Sequence, residues 1–327
     1  MHTPSNHPSQ QAAPGRPAAS PLQGVWIPAA TPFGADGEVA PDLFVAHCRW
    51  LIAEGAAGIA PFGTTSEGNS LSADEKAQLL QALLAGGIAP SQLMPGTGAC
   101  ALPDAVAQTR AAVKAGCAAA LVLPPFYYKA AVNDEGLFAF FNELIEQVGS
   151  QDLRICLYHI PPVAQMGFGL GLIDKLLARH GPVIAGLKDS SGNFEYTKSV
   201  LEAFPQLRVF AGSESFLLDT VRAGGAGCIT ATGNLNITQV ADVYARRAQG
   251  DAETLQQAIT RRRKLVEAHP VIPSVKAALA EVHGQPDWAR VRSPLLPLAA
   301  PARSALLDAL RADGWNARNT AAKESFA

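Results

Sequence analysis

Residues 183–193 read Val-Ile-Ala-Gly-Leu-Lys-Asp-Ser-Ser-Gly-Asn. A short apolar run, β-branched at its start, delivers Lys188 and then breaks into small polar and glycine residues that turn a strand into a helix N-terminus. A lysine desolvated at a strand end can act as an amine nucleophile and form a Schiff base with a carbonyl. Taken alone, Lys188 reads as readily as the point where a buried strand meets water, because lysines are mostly exposed. The chemical reading needs partners at other strand ends.

The elements that would carry those partners alternate along the chain. Candidate strands are Val25–Ala29, Gly58–Phe62, Leu93–Gly96, Ala119–Leu123, Arg154–Tyr158, Val183–Lys188, Arg208–Ala211 and Gly227–Thr230. Between most of them lie helical patterns: Asp42–Glu54, Ser72–Leu84 behind a Ser-x-x-Glu capping box, Pro103–Ala115 with proline at its start, Phe138–Val148, Leu172–Arg179, Tyr196–Ala203 and Ser215–Ala223. Strand–helix alternation predicts a parallel sheet under helical cover, and eight units predict an α/β fold of the (β/α)8 TIM-barrel type. No Gly-x-Gly-x-x-Gly follows the first strand, which weighs against a dinucleotide-binding sheet. Four further helical patterns, 236–249, 252–269, 274–283 and 302–312, predict a C-terminal helical extension. The expected organisation is a leader over 1–21, a catalytic barrel over 22–250 and the extension over 251–327.

A barrel of this kind places its active site where strands run into βα loops. The second strand ends in Gly63-Thr64-Thr65-Ser66-Glu67-Gly68, whose hydroxyls and backbone N–H groups suit a small carboxylate, or equally form an ordinary turn with a helix cap. The fourth ends in Pro124-Pro125-Phe126-Tyr127-Tyr128-Lys129 and the fifth in Tyr158-His159-Ile160-Pro161. Phenolic hydroxyls near a lysine can hold and relay protons, although strand-end aromatics also serve packing. His159 reads as a structural histidine, since no second histidine or carboxylate stands at ligand spacing. At the seventh strand, Gly212 permits close backbone approach and Glu214 suits a helix N-terminus.

Composition narrows the classes. The 327 residues carry 26 Lys and Arg against 28 Asp and Glu, with no basic block of five or more, which excludes a charged nucleic-acid surface. The densest cluster, Arg261-Arg262-Arg263-Lys264, reads as one solvated helical turn. Cys48, Cys100, Cys117, Cys156 and Cys228 form no Cys-x-x-Cys pair and are odd in number, against a disulfide framework or zinc site and in keeping with a reducing cytoplasm. No apolar run reaches the roughly 18–20 residues that span a bilayer. Residues 1–21 are rich in Pro, Ala, Ser and Gln and lack an apolar h-region, so they read as a disordered leader rather than a signal peptide.

Taken together, these motifs make the chain from about Leu22 to Leu310 similar to the dihydrodipicolinate synthase / N-acetylneuraminate lyase family of class I pyruvate aldolases. The likeness rests on Gly63-Thr64-Thr65, Pro125-Phe126-Tyr127-Tyr128, Tyr158-x-x-Pro161, Gly186-Leu187-Lys188-Asp189-Ser190-Ser191-Gly192, Ala211-Gly212-Ser213-Glu214 and Gly227-Cys228-Ile229-Thr230, in that order. The resemblance implies that Lys188 forms the Schiff base with pyruvate or another 2-oxo acid, and that Tyr158 shuttles protons. It implies that Thr64 links Tyr158 to a second tyrosine, Tyr127, which in the synthase branch enters from a neighbouring subunit, so a homo-oligomer (dimer or tetramer) is expected. Gly63, Thr64 and Thr65 would clamp the substrate carboxylate, with Gly212 and the Ile229 carbonyl nearby. No metal or organic cofactor is implied beyond the imine itself, and the partner is a small 2-oxo acid rather than nucleic acid or membrane. One position departs: the synthase branch has an arginine where this chain has Val163, and residues 162–171 are apolar and glycine-rich. That departure leaves 2-keto-3-deoxy sugar acid aldolase or dehydratase chemistry, an N-acetylneuraminate lyase-like enzyme or a non-catalytic carboxylate-binding barrel as alternatives.

Overall fold

Short runs of Val, Ile, Leu and Cys bounded by glycine or polar residues can be buried on both faces only in a sheet covered by helices. The computed structural model, which describes residues 22–317, shows that arrangement. In chain order come β1 (Gly24–Ile27), α1 (Pro41–Ala53), β2 (Gly58–Ile59), α2 (Ala73–Ala85), α3 (Leu102–Lys114), β3 (Ala120–Val122), α4 (Asp134–Val148), β4 (Ile155–His159), α5 (Pro161–Ala164) and α6 (Leu170–His180). Then follow β5 (Ile184–Asp189), α7 (Phe194–Ala203), β6 (Arg208–Ala211), α8 (Leu217–Arg222), β7 (Gly227–Ile229), α9 (Gly233–Ala245), α10 (Ala252–Glu267), α11 (Val271–His283) and α12 (Ala300–Ala312). The leader expected over 1–21, and the last residues of the expected extension, lie outside the described residues.

The strands pair in parallel in the order β2-β1-β7-β6-β5-β4-β3, a curled sheet with helices that is TIM-barrel-like. Eight strands are predicted from the sequence; among the described residues the sheet has seven. The difference is the 93–96 segment, which makes two isolated parallel bridges, Leu93 to Ile59 and Gly96 to Leu121. Pro95, whose carbonyl faces β3, has no N–H to return to that strand, which removes one bond there. The segment still bonds to both edge strands: Met94 N–H donates to Ile59 O at 2.9 Å, and Leu121 N–H to Pro95 O at 2.9 Å.

Helix starts follow local chemistry. The capping box is present at α2, where Ser72 Oγ accepts from Glu75 N–H and Glu75 returns a bond to Ser72 N–H. Two large apolar clusters flank the strands, and a third gathers α11, Trp288, Leu306, Leu310 and Trp315 behind α9. Among the described residues no helix is long and apolar enough to cross a membrane.

Candidate active site

The register of β4 against β5 sets Tyr158 beside Lys188, and His159 beside Asp189. Lys188 Nζ lies 4.2 Å from the centre of the Tyr158 ring, and each residue is only 4% exposed. Thr64, from the loop after β2, brings its Oγ1 within 3.1 Å of the Tyr158 hydroxyl. An amine, a phenol and an alcohol thus converge from three separate segments at the sheet's C-terminal end.

The 63–68 loop is held in a strained shape. Phe62 and Glu67, at its two ends, both have left-handed backbones, with φ of 64° and 55°, a conformation that costs a non-glycine residue about 1 kcal/mol or more. Gly68 and Gly96 pack on the Phe62 carbonyl so tightly that a Cβ would stand 2.0 and 2.5 Å from its oxygen. Thr31 Oγ1 donates to Ser66 O at 2.7 Å from the end of β1. Gly63 and Thr64 line a small hollow with Asn69 and Tyr158, while Thr65 turns to the main cavity.

That cavity encloses about 750 Å³ and is lined by Thr64, Thr65, Tyr158, Lys188, Gly212 and Ile229, together with residues from α10 and the start of α11. A side chain at Gly212 would strike Ser190 Oγ at 2.1 Å, so the backbone there can only pass close as glycine. Seven of the eight sequence-predicted site residues therefore border this cavity or the hollow behind it. Tyr127 does not. It stands 77% exposed with its ring against Tyr128, away from Thr64 and Tyr158.

A further expectation needs correction. The 261–264 basic run is not one solvated turn: Arg263 is 8% exposed and, with Lys264 and Glu267, lines the cavity. Its Nη1 donates to Glu214 Oε2 and to Thr230 Oγ1, each at 3.1 Å, and its Nε to Glu267 Oε1 at 2.7 Å. Nη2 is left without an acceptor among the described residues. Ser190, Ser213, Ser215 and Thr260 also line this cavity, and none of residues 162–171 does. Val163, in the single turn of α5, is 59% exposed and lies off the cavity lining. The signal for Arg263 was present: it sits four residues after Ile259 and three before Val266, both buried, and so on the helix's inward stripe.

Two neighbours stiffen the strand ends. Asp189 accepts from Thr197 Oγ1 at 2.5 Å and from Ser191 N–H at 2.8 Å, fixing the chain just past Lys188. His159 Nδ1 accepts from Phe168 N–H at 2.9 Å, and its ring stacks on Tyr196 at 4.1 Å. Burial pulls the His159 imidazole below its ordinary value, and the Asp189 charge opposes that pull. Its role is to fasten the loop that follows β4. Glu214 is wholly buried against Arg263 and Thr230. Among the described residues, no three His, Cys, Asp or Glu side chains gather as a group able to hold a metal.

Residues 21–313 match the model of the dihydrodipicolinate synthetase family. The chain is 37% identical over 271 residues to an uncharacterised DapA-like lyase of Chloroflexus aurantiacus, covering 82% of this chain and 89% of that one. It is 33% identical over 291 residues to the 4-hydroxy-tetrahydrodipicolinate synthase of Rhizobium meliloti, covering 86% and 95%. The crystal structure of dihydrodipicolinate synthase from Agrobacterium tumefaciens superposes with a TM-score of 0.82 at 33% identity, covering 88% of this chain and 98% of that one. A pyruvate complex of a prophage protein of the dihydrodipicolinic acid synthase family from E. coli K12 shares the fold, with a TM-score of 0.83 at 24% identity over 90% and 99%. The chain belongs to the dihydrodipicolinate synthetase family, whose members are lyases of the class I aldolase type.

Proposed function

We propose that this protein is a Schiff-base-forming lyase or aldolase acting on pyruvate or a related 2-oxo acid. The observation that carries the reading is the convergence of Lys188 Nζ, the Tyr158 phenol and Thr64 Oγ1 on one cavity. The free amine of Lys188 attacks the ketone carbon, its two protons pass to the former carbonyl oxygen, and that oxygen leaves as water, giving an imine. Once protonated, that imine draws electrons from the neighbouring carbon, which can then lose a proton or make or break a carbon–carbon bond. Tyr158 passes those protons, a role supported by the hydrogen bond between its hydroxyl and Thr64. Thr65 and the backbone N–H groups of its loop suit the substrate carboxylate, and Gly212 and Ile229 line the same cavity as Lys188. The imine needs no further cofactor.

The bonding of residues 93–97 to both β2 and β3 supports a closed (β/α)8 barrel, with α10 and α11 of the C-terminal extension completing its cavity. The exposure of Tyr127 supports an oligomer, dimer or tetramer, in which this tyrosine completes a neighbouring subunit's Thr64–Tyr158 pair. Five free cysteines, of which Cys48, Cys156 and Cys228 are buried, suit a reducing cytoplasm.

Arg263 favours one reading of the second substrate. Its Nη2 and the Lys264 ammonium can receive a carboxylate, the task the synthase branch gives to an arginine where this chain has Val163.

Proton exchange tests the proposal without knowledge of that second substrate. In D2O, the wild-type protein should replace the methyl protons of pyruvate with deuterium, followed by NMR, and Lys188→Ala should not. Binding of pyruvate with no exchange in the wild type would instead make this a non-catalytic carboxylate-binding barrel.

A further inference from the structure

The loop that carries Thr64 and Thr65 ends at Glu67, whose side chain is fully buried. Its Oε1 accepts from Lys276 Nζ at 2.5 Å, and Lys276 is itself fully buried on α11, 209 residues away. Its Oε2 accepts from Arg292 N–H at 3.0 Å. The Arg292 guanidinium continues outward to Ser70 O at 2.9 Å and to both oxygens of Glu75, at 2.6 and 2.9 Å, on the first turn of α2. Lys276 Nζ also lies 4.3 Å over the Phe33 ring, and Arg292 packs against the same ring at 4.7 Å. The Glu67 end of the loop is therefore tied to α11 and to the segment between α11 and α12 through one buried carboxylate.

A buried ion pair is a poor stabilising device, because well-packed apolar residues of the same volume often serve as well or better. What it supplies is a fixed direction. Here it fixes a segment bracketed by two left-handed residues, Phe62 and Glu67, which would relax if released.

We infer that Lys276 is a positioning residue of the active site, acting through Glu67 to hold the Thr64–Thr65 loop against Tyr158. The inference rests on the reading of Thr64 and Thr65 as the proton-relay support and carboxylate clamp, yet its own test has a readout that needs no substrate. Lys276 does not line the cavity, and its ammonium bonds to Glu67, so its removal should reach catalysis through the loop.

The test is Lys276→Met, examined by hydrogen–deuterium exchange of the peptide spanning 63–68 and by the rate at which borohydride traps pyruvate on Lys188. Exchange in that peptide should rise at least tenfold while other peptides keep their rates. Trapping should slow at least tenfold, and Lys276→Arg should recover most of both. Should Lys276→Met fail to fold, Glu67→Gln keeps the shape of the pair, and the same two changes are expected of it. Unchanged exchange in 63–68 overturns the inference, as does faster exchange with trapping at the wild-type rate. A wild-type protein that traps no pyruvate removes the proposed function instead, and the exchange result still decides whether Lys276 holds the loop.

Discussion

Lys188 Nζ sits 4.2 Å above the ring of Tyr158, its register neighbour on the adjacent strand, and the Tyr158 hydroxyl bonds to Thr64 at 3.1 Å. A single strand pairing thus sets an amine beside a phenol. Removing the phenolic oxygen alone separates chemistry from packing. Tyr158→Phe loses one partly buried hydrogen bond, worth about 1 kcal/mol of stability, while kcat should fall by roughly 10²–10⁴. Denaturant unfolding and steady-state kinetics on the same preparation check both.

Tyr127 offers a test of assembly. At 77% exposure its hydroxyl supports nothing within one chain, so Tyr127→Phe should change stability by no more than about 0.5 kcal/mol. If the tyrosine works across a subunit boundary, that variant loses activity, and so does Lys188→Ala. Refolding the two together should restore part of it, because one mixed site then holds Lys188 from one chain and Tyr127 from the other. Mixed samples no more active than their parents would confine Tyr127 to its own chain.

The Lys188 motif, the Thr64–Thr65 loop and Tyr158 are legible in the sequence because each lies at an abrupt end of an apolar run, a signal spanning fewer than about a dozen residues. Residues 93–96 carry their own warning, since Pro95 lacks the N–H of one bond toward β3. Arg263 was hidden by its basic neighbours, and only its spacing from Ile259 and Val266 marked it as inward-facing. The Glu67–Lys276 pair joins residues 209 apart, and no local pattern in either segment announces the other.

Arg263 leaves a second mark, on stability. It faces Glu214, a wholly buried carboxylate. Arg263→Met would strand that charge and should cost about 3–5 kcal/mol. Adding Glu214→Gln should return a large part of the loss. Urea midpoints for the single and double variants check this, and a double variant as weak as the single would mean that the Glu214 charge is not the cause.

A histidine pair outside the cavity sets the response to acid. His283 Nε2 lies 3.1 Å from His47 Nδ1, and His47 Nε2 lies 2.9 Å from Asn234 Oδ1. Asn234 Oδ1 also accepts from Ala30 N–H, so His47 donates through Nε2 and receives the His283 proton at Nδ1, with both rings neutral. Burial pulls His47 down to about 4 against the opposing Asn234 hydrogen bond, and burial with the His47 charge pulls His283 down to about 3. The unfolded chain, titrating near 6.5, then binds more protons than the folded one, so this contribution is complete above pH 6.5 and is lost as pH falls toward 4. For His47 it amounts to about 3 kcal/mol. Unfolding free energy measured at pH 7, 6 and 5 should decline with acid, and His47→Gln should flatten the decline; a level wild-type profile would contradict the assignment.

An imine at Lys188 can be trapped. After incubation with pyruvate and reduction with borohydride, peptide mass spectrometry should find one stable adduct, on Lys188, absent from Lys188→Ala and absent without pyruvate. No adduct on the wild-type protein, or an adduct on a different lysine, would rule out Lys188 as the imine-forming residue.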